Sequence, residues 1–362
     1  MIKTVCIVGA GAIGGFIGTR LAAAGQAEVS ALARGATLQA LRRHGWRLEM
    51  ASGALQAPAR ASDRAAELGV QDLVVIAVKG PALTQAAHDI APLLGPRTVV
   101  LPAMNGVPWW FCHGVPGFPA GALQSVDPGG QIAAAIPFGQ VLGCVVHAAV
   151  AVPEPGRVEH RMGQGLIVGE PGGDSSDRAR AVAALLAGAG FDVTLSGDVR
   201  HDIWYKLWGN MTMNPVSAIT GATIDRVLGD PLVREFCSAA MREAARIGAR
   251  IGCRIEQGAD DRHAITARLG AFKTSMLQDV EAGRAIELDA IVAAVHEIGI
   301  RLGEPMPHIG SLLGLTRLFG RVRGLYPEAP ETADSLDTAD TPDTPDTPDT
   351  PDKPDKPDTP GT

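Results

Sequence analysis

A glycine turn near the start of the chain restricts its fold more than any other feature. The apolar run Val5-Cys6-Ile7-Val8 leads straight into Gly9-Ala10-Gly11-Ala12-Ile13-Gly14, and Gly15-Phe16-Ile17-Gly18-Thr19-Arg20-Leu21-Ala22 follows with helical composition. Strand, glycine turn and helix in that order can seat a dinucleotide pyrophosphate. Gly9 permits the tight turn, Gly11 lets the backbone approach the phosphates, and Gly14 lets helix and strand pack closely. The free N–H groups and the positive dipole end of the helix then face the anion, with Ala10, Ala12 and Ile13 completing the loop. Alone, such a glycine pattern is weak evidence. The element on each side of it makes the difference.

The next stretch of chain repeats the alternation. Strands are predicted at Thr4–Val8, Glu28–Ala33, Asp72–Val78 and Thr98–Ala103, separated by segments such as Ala12–Ala24 and Pro81–Leu94 with helical length. This implies βαβ units and a parallel sheet. Val141–Val152, the turn Pro153-Glu154-Pro155-Gly156 and Arg157–Arg161 read as a hairpin at the sheet edge. From about Asp177 the pattern turns helical: Ala179–Ala189, Val199–Thr212, Pro231–Ile251, Ala259–Ala282 and Glu287–Leu302. The expected fold class is therefore α/β, an N-terminal Rossmann domain (1–176) followed by a mainly α-helical domain (177–326), with the cleft between them open to a small substrate. Residues 327–362 form a low-complexity tail of Asp-Thr-Pro repeats, expected to be a solvated, disordered extension because its prolines exclude helix and sheet.

Charge and cysteine usage exclude several classes. The formal net charge is −7, yet residues 331–362 alone carry ten acids and two bases, so the remaining body is near neutral. That balance argues against nucleic acid as a partner. The apolar runs are broken well short of a membrane span. The five cysteines are odd in number, scattered and without a CxxC pair, which fits a reducing cytoplasm and argues against a metal site. No leader segment precedes the first strand, so a cytoplasmic location is expected.

The end of the second strand selects between cofactors. An acid there accepts from a ribose hydroxyl, whereas a base accommodates a 2′-phosphate. This strand ends Ala31-Leu32-Ala33-Arg34 with no acid after Glu28, which favours NADPH with Arg34 on the phosphate. Lys79, ending a later strand, is placed to reach the cofactor. Asn105-Gly106 is first of all a turn dipeptide, but it sits at the carboxyl end of a strand, where ligands bind in open sheets.

A second informative segment is Trp204-Tyr205-Lys206-Leu207-Trp208-Gly209-Asn210-Met211-Thr212-Met213-Asn214-Pro215. Lys206, Asn210 and Asn214 follow one another at intervals of four, so a helix puts them on one face among apolar neighbours. Pro215 is expected to end that helix. Such a stripe suits carbonyl reduction, because hydride arriving at carbon builds negative charge on oxygen, which needs a proton and donors. Lysine supplies both. Ser275, in Ser275-Met276-Leu277-Gln278-Asp279, and Glu287 can complete the pocket, although each alone reads as an ordinary helix-surface residue.

With these motifs in order, the chain resembles the ketopantoate reductase family (2-dehydropantoate 2-reductases) over residues 1–326. The resemblance implies NADPH-dependent reduction of a 2-oxo acid to a 2-hydroxy acid, in that family ketopantoate to pantoate on the route to pantothenate and coenzyme A. It implies Lys206 as proton donor, Asn210, Asn214 and Ser275 as substrate contacts, and Asn105 between nicotinamide and substrate. It also implies Glu287 near both, Arg34 and Lys79 at the cofactor, and Ala149 as a backbone cofactor contact. Two departures stand out. A further asparagine common in the family has no counterpart in Thr223-Ile224-Asp225, and Asn105-Gly106 is followed by the bulky Val107-Pro108-Trp109-Trp110-Phe111. Those aromatics read as core, as contacts of a homodimer, or as a reshaped pocket for a larger oxo acid. A related opine or hydroxyacid dehydrogenase and a non-catalytic NADP-binding redox sensor are the competing readings.

Overall fold

The computed structural model describes residues 2–328, so the Asp/Thr/Pro tail from 329 onward lies outside the described residues. The first half opens with β1 (Thr4–Val8), α1 (Ala12–Ala24), β2 (Glu28–Leu32) and α2 (Gly35–His44). A hairpin of β3 (Trp46–Met50) and β4 (Gly53–Ala57) precedes β5 (Arg60–Ser62), β6 (Leu73–Ile76), α3 (Leu83–Asp89) and β7 (Val99–Pro102). A parallel sheet of order β5-β2-β1-β6-β7 results, with β1 central. Its inner strands β1 and β6 are apolar, Val5 to Val8 and Leu73 to Ile76 being almost fully buried, as a sheet covered on both faces requires. The Rossmann expectation holds. The α2 helix and the β3–β4 hairpin were not anticipated, because their short, charged sequences carry no clear period.

After α4 (Gln131–Ala135) the chain forms β8 (Gly143–Glu154) and β9 (Arg157–Gly169). The predicted hairpin exists, and its second strand β9 is the centre of a second sheet. A bridge from Val100 to Val141 carries the chain off β7. Beyond it β9 pairs with β8 on one side and with β3 and β10 (Asp192–Ser196) on the other, building a second sheet. Helix α5 (Asp177–Gly188) and β10 pack with that sheet. The wholly helical part therefore begins at Val199 rather than Asp177.

That part comprises α6 (Val199–Thr220), α7 (Ile224–Gly229), α8 (Pro231–Arg250), α9 (Ala259–Ala267) and α10 (Ser275–Glu281), then α11 (Ala294–Leu302) and α12 (Pro307–Val322). Helix α6 is the axis, packing against α8, α10 and α12. Its Asp198 cap accepts from the His201 N–H, and the Trp208 indole donates to Met241 O at 2.7 Å. Pro215 does not end α6. It sits buried inside the helix, which runs on to Gly221 in the left-handed conformation. One missing N–H is tolerated in a long helix gripped by its neighbours. The predicted helix over Ala259–Ala282 is two helices, broken between Ala267 and Ser275.

One apolar cluster joins the sheet to the helices, from Ile76 and Val100 through Trp110 and Phe111 to Trp204, Met211 and Ile298. Trp109, Trp110 and Phe111 are thus core, with Phe111 stacked on Trp204 at 5.8 Å. Neither the pocket nor an interface claims them.

Candidate active site

The glycine turn has the shape that its sequence demands. Gly9 lies at φ +87°, and a Cβ there would stand 2.6 Å from Val78 Cγ1. A Cβ on Gly14 would fall 2.0 Å from Gly9 O, so the helix can start only where the turn leaves it. A Cβ on Gly11, by contrast, meets nothing within 4 Å. Open space therefore faces the first turn of α1, which carries no side-chain cap. This cradle fits a pyrophosphate, as free helix-end N–H groups do.

Arg34 caps α2 at the end of β2, and its largely exposed guanidinium pairs with Asp89 of α3. Lys79 lies just past β6. Its amine reaches across to Asp279 of α10 at 2.7 Å, and Arg284 holds the same carboxylate at 2.9 Å. Glu287 accepts from the Gly80 N–H at 3.4 Å. Burial pushes its carboxyl above the usual range, with the Lys79 charge opposing. Ala149 lies on β8 opposite Met162, between two register shifts in the β8–β9 ladder.

Lys206 is the centre of the arrangement. Its amine donates to Asn105 Oδ1 at 2.8 Å and to Val146 O at 2.6 Å. Desolvation lowers its pKa to about 8, with Cys144 acting the other way. Three elements supply these atoms: the loop after β7, strand β8 and helix α6. The loop is fixed by Gly106, at φ +86°, where a Cβ would stand 2.5 Å from Ala290 O, and by the Val107 N–H, which donates to that same oxygen at 2.7 Å. Asn105-Gly106 is more than a turn dipeptide. It docks a strand end onto the π-type turn Asp289–Ala293 that leads into α11.

Lys206 and Asn210 line one narrow cleft with Asn105, Met104, Cys144, Ile203 and Leu207. Asn214 is buried one turn further along, and Ser275 stands exposed at the start of α10, which packs on α6. The amides of Asn210 and Asn214 and the Ser275 hydroxyl make no hydrogen bond with any of the described residues. The structure therefore brings Asn105, Lys206 and Asn210 together directly, and Glu287 and Lys79 beside one another. Arg34 stands apart at the rim of the sheet. Sequence reading missed the Val146 carbonyl, which carries no side-chain signal.

A Rossmann sheet with an open glycine turn, joined to a helical half that offers a proton-bearing lysine among neutral amides, defines a dinucleotide-dependent oxidoreductase. Comparison with known proteins narrows the class. Residues 5–173 match the family model described as ketopantoate reductase PanE/ApbA, and residues 198–319 match its C-terminal counterpart. The chain is 44% identical over 323 residues to a 2-dehydropantoate 2-reductase of Mesorhizobium japonicum, covering 89% of this chain and 99% of that one. Its fold superposes with a TM-score of 0.86 on a provisionally named ketopantoate reductase from Ralstonia solanacearum, at 54% identity and covering 90% of this chain and all (100%) of the other. A PanE/ApbA family ketopantoate reductase from Ralstonia eutropha gives a TM-score of 0.76 at 27% identity, covering 89% and 100%. The chain belongs to the ketopantoate reductase family.

Proposed function

We propose that this protein reduces 2-dehydropantoate to (R)-pantoate with NADPH, on the cytoplasmic route to pantothenate and coenzyme A. The observation that carries the reading is the Lys206 amine, held by Asn105 and Val146 O in a cleft it shares with the unpartnered Asn210 amide. NADPH, when bound along the glycine turn, supplies the hydride, with Arg34 at the 2′-phosphate and Lys79, Asn105, Ala149 and Glu287 along the rest of the molecule. As negative charge grows on the carbonyl oxygen, Lys206 donates a proton to it. Its lowered pKa makes it a better acid than an ordinary lysine near neutral pH. Asn210, Asn214 and Ser275 orient the oxo acid through neutral donors and acceptors, which leave the Lys206 proton free to move. Glu287, whose carboxyl burial pushes above the usual range, positions the substrate hydroxyl side. A homodimer is compatible with the exposed apolar row Leu315, Leu318 and Val322 on α12.

The test is NADPH oxidation against a panel of 2-oxo acids that includes 2-dehydropantoate. Turnover highest with 2-dehydropantoate supports the reading. No turnover with any of them overturns it.

A further inference from the structure

Glu287 stands on a stretch of chain with no regular ladder to hold it. Helix α10 ends at Glu281, the π-type turn begins at Asp289, and residues 284–287 between them are neither helix nor strand. Backbone of that kind keeps its shape where other parts of the molecule grip it. Here the grip comes from the residues just past α12. The chain reverses at Gly324, whose φ is +66°, and returns along the end of that helix, the Leu325 N–H donating to Gly320 O at 2.7 Å. The Ile286 N–H then donates to Leu325 O at 3.0 Å, and the Tyr326 hydroxyl donates to Asp289 Oδ1. Glu287 lies between the two residues so held.

Helix α12 prepares the place for the phenol. A Cβ on Gly320 would stand 2.7 Å from Tyr326 Cβ and 3.1 Å from Ile286 Cδ1, so both side chains close on the helix only because residue 320 is glycine. Burial and the Asp289 carboxylate push the phenol above its usual range, with Arg317 and Arg321 opposing, so it remains a donor across neutral pH. Burial also raises the Asp289 carboxyl, and the bond from Tyr326 pulls the other way. A desolvated carboxylate left without that donor is costly.

The next residue carries the grip to the cleft. Ala290 O accepts from the Val107 N–H and is the atom against which Gly106 is docked. Asn105 precedes that glycine, and its Oδ1 accepts from the Lys206 amine at 2.8 Å. The turn itself packs on α6 as well as on α12. Glu287 and the Asn105–Lys206 pair therefore both depend on where the turn at Asp289 sits. Arg317 and Arg321 act on the phenol, whereas the Lys206 amine answers to desolvation and Cys144. A change at residue 326 thus reaches Lys206 through the turn and not through charge.

We infer that Tyr326 is a positioning residue: its hydroxyl, acting through Asp289, fixes the turn from which both Glu287 and the Asn105 loop take their places. The inference rests on the reaction proposed above and adds the contact that holds its two arms in register.

Profiles of kcat/KM against pH for reduction of 2-dehydropantoate by the full-length wild type, Tyr326→Phe, Asp289→Ala and Asp289→Asn test it, with Tm measured alongside. Tyr326→Phe keeps the ring on Gly320 and removes one donor. The loosened turn admits water to Lys206, so the alkaline limb moves up from about 8 by about half to one pH unit, because desolvation is what lowered it. At pH 7 kcat falls about 3- to 30-fold as the reacting groups lose register. Asp289→Ala behaves alike. Asp289→Asn, whose amide oxygen still accepts from the phenol, keeps the limb within about 0.2 pH units of the wild type. A merely structural bond would lower Tm and leave the limb at about 8 in every variant. That result, or a limb shifted as far in Asp289→Asn as in Asp289→Ala, would overturn the inference while the proposed reaction stands. Should Asp289→Ala fail to fold, Tyr326→Phe against Asp289→Asn decides by the same criterion. A wild type that reduces no 2-oxo acid would overturn both.

Discussion

The Lys206 assignment has a pH signature that can be worked out from its surroundings. With a pKa of about 8, set chiefly by desolvation, the amine is about nine-tenths protonated at pH 7 and about one-tenth at pH 9. A lysine at its ordinary value would still be more than about 95% protonated at pH 9. Reduction consumes the proton, so kcat/KM is flat below about pH 7 and falls about tenfold per unit above pH 8. Oxidation of the hydroxy acid needs the neutral amine and rises over the same interval. Asn105→Asp is the informative perturbation, since it sets a carboxylate where the 2.8 Å acceptor now stands. An opposite charge at that range favours the ammonium by about one to three pH units, so the alkaline limb should move from about 8 into the range of about 9 to 11. The position of the limb does not depend on how much the amplitude drops, which separates the electrostatic effect from lost substrate contacts. The assay is NADPH oxidation at fixed ionic strength across pH 6 to 11, with protein integrity checked at each end. A wild-type limb near 10, or a limb that stays at 8 in Asn105→Asp, would refute the reasoning.

Three further outcomes follow from the same geometry. Lys206→Met lowers kcat by about 100- to 10,000-fold, the contribution expected of a positioned general acid, while cofactor affinity by fluorescence titration is retained. Arg34→Ala raises the KM for NADPH about tenfold or more and changes that for NADH within about twofold, because only the 2′-phosphate engages the fork; equal losses would contradict the assignment. Gly11→Ala and Gly14→Ala should part company: the first adds a methyl to open space and blocks NADPH binding with little change in Tm, while the second drives a Cβ to 2.0 Å from Gly9 O and lowers Tm itself.

How much of this was legible in the sequence depends on how local the information is. The glycine turn, the buried strands and the row Lys206, Asn210, Asn214 all follow from spacing within a single element, and the structure forms each of those elements. What spacing could not reveal was pairing over long distances. The β3–β4 hairpin and β10 become strands because β9 offers them a partner more than 20 residues away. Pro215 reads as a helix end only when neighbours are ignored; packing on α8, α10 and α12 carries α6 past it. The site divides in the same way. Side chains advertise themselves by type, but the Val146 carbonyl that holds Lys206 belongs to a backbone any residue could supply. Lys79, assigned to the cofactor from its strand-end position, is engaged by Asp279 of the helical half, a contact across 200 residues.

The low pKa of Lys206 is itself a consequence of how the two halves meet. The amine is desolvated by the loop after β7 and by β8, and its two hydrogen-bond partners are an amide oxygen and a backbone carbonyl, both neutral. A carboxylate in either place would hold the proton too firmly for transfer, since an adjacent opposite charge favours the ammonium. An exposed amine would also titrate too high. The acids of this region are instead occupied elsewhere: Asp279 by Lys79 and Arg284, and Glu287 by burial and the Gly80 N–H. Gly106 against Ala290 fixes the approach of the Asn105 loop to the helices, and so fixes the desolvation on which the lysine's acidity depends. Acidity at residue 206 is therefore a property of that docking contact as much as of the lysine, and a bulkier residue at 106 would raise the pKa by letting water in before it disturbed any group in the cleft.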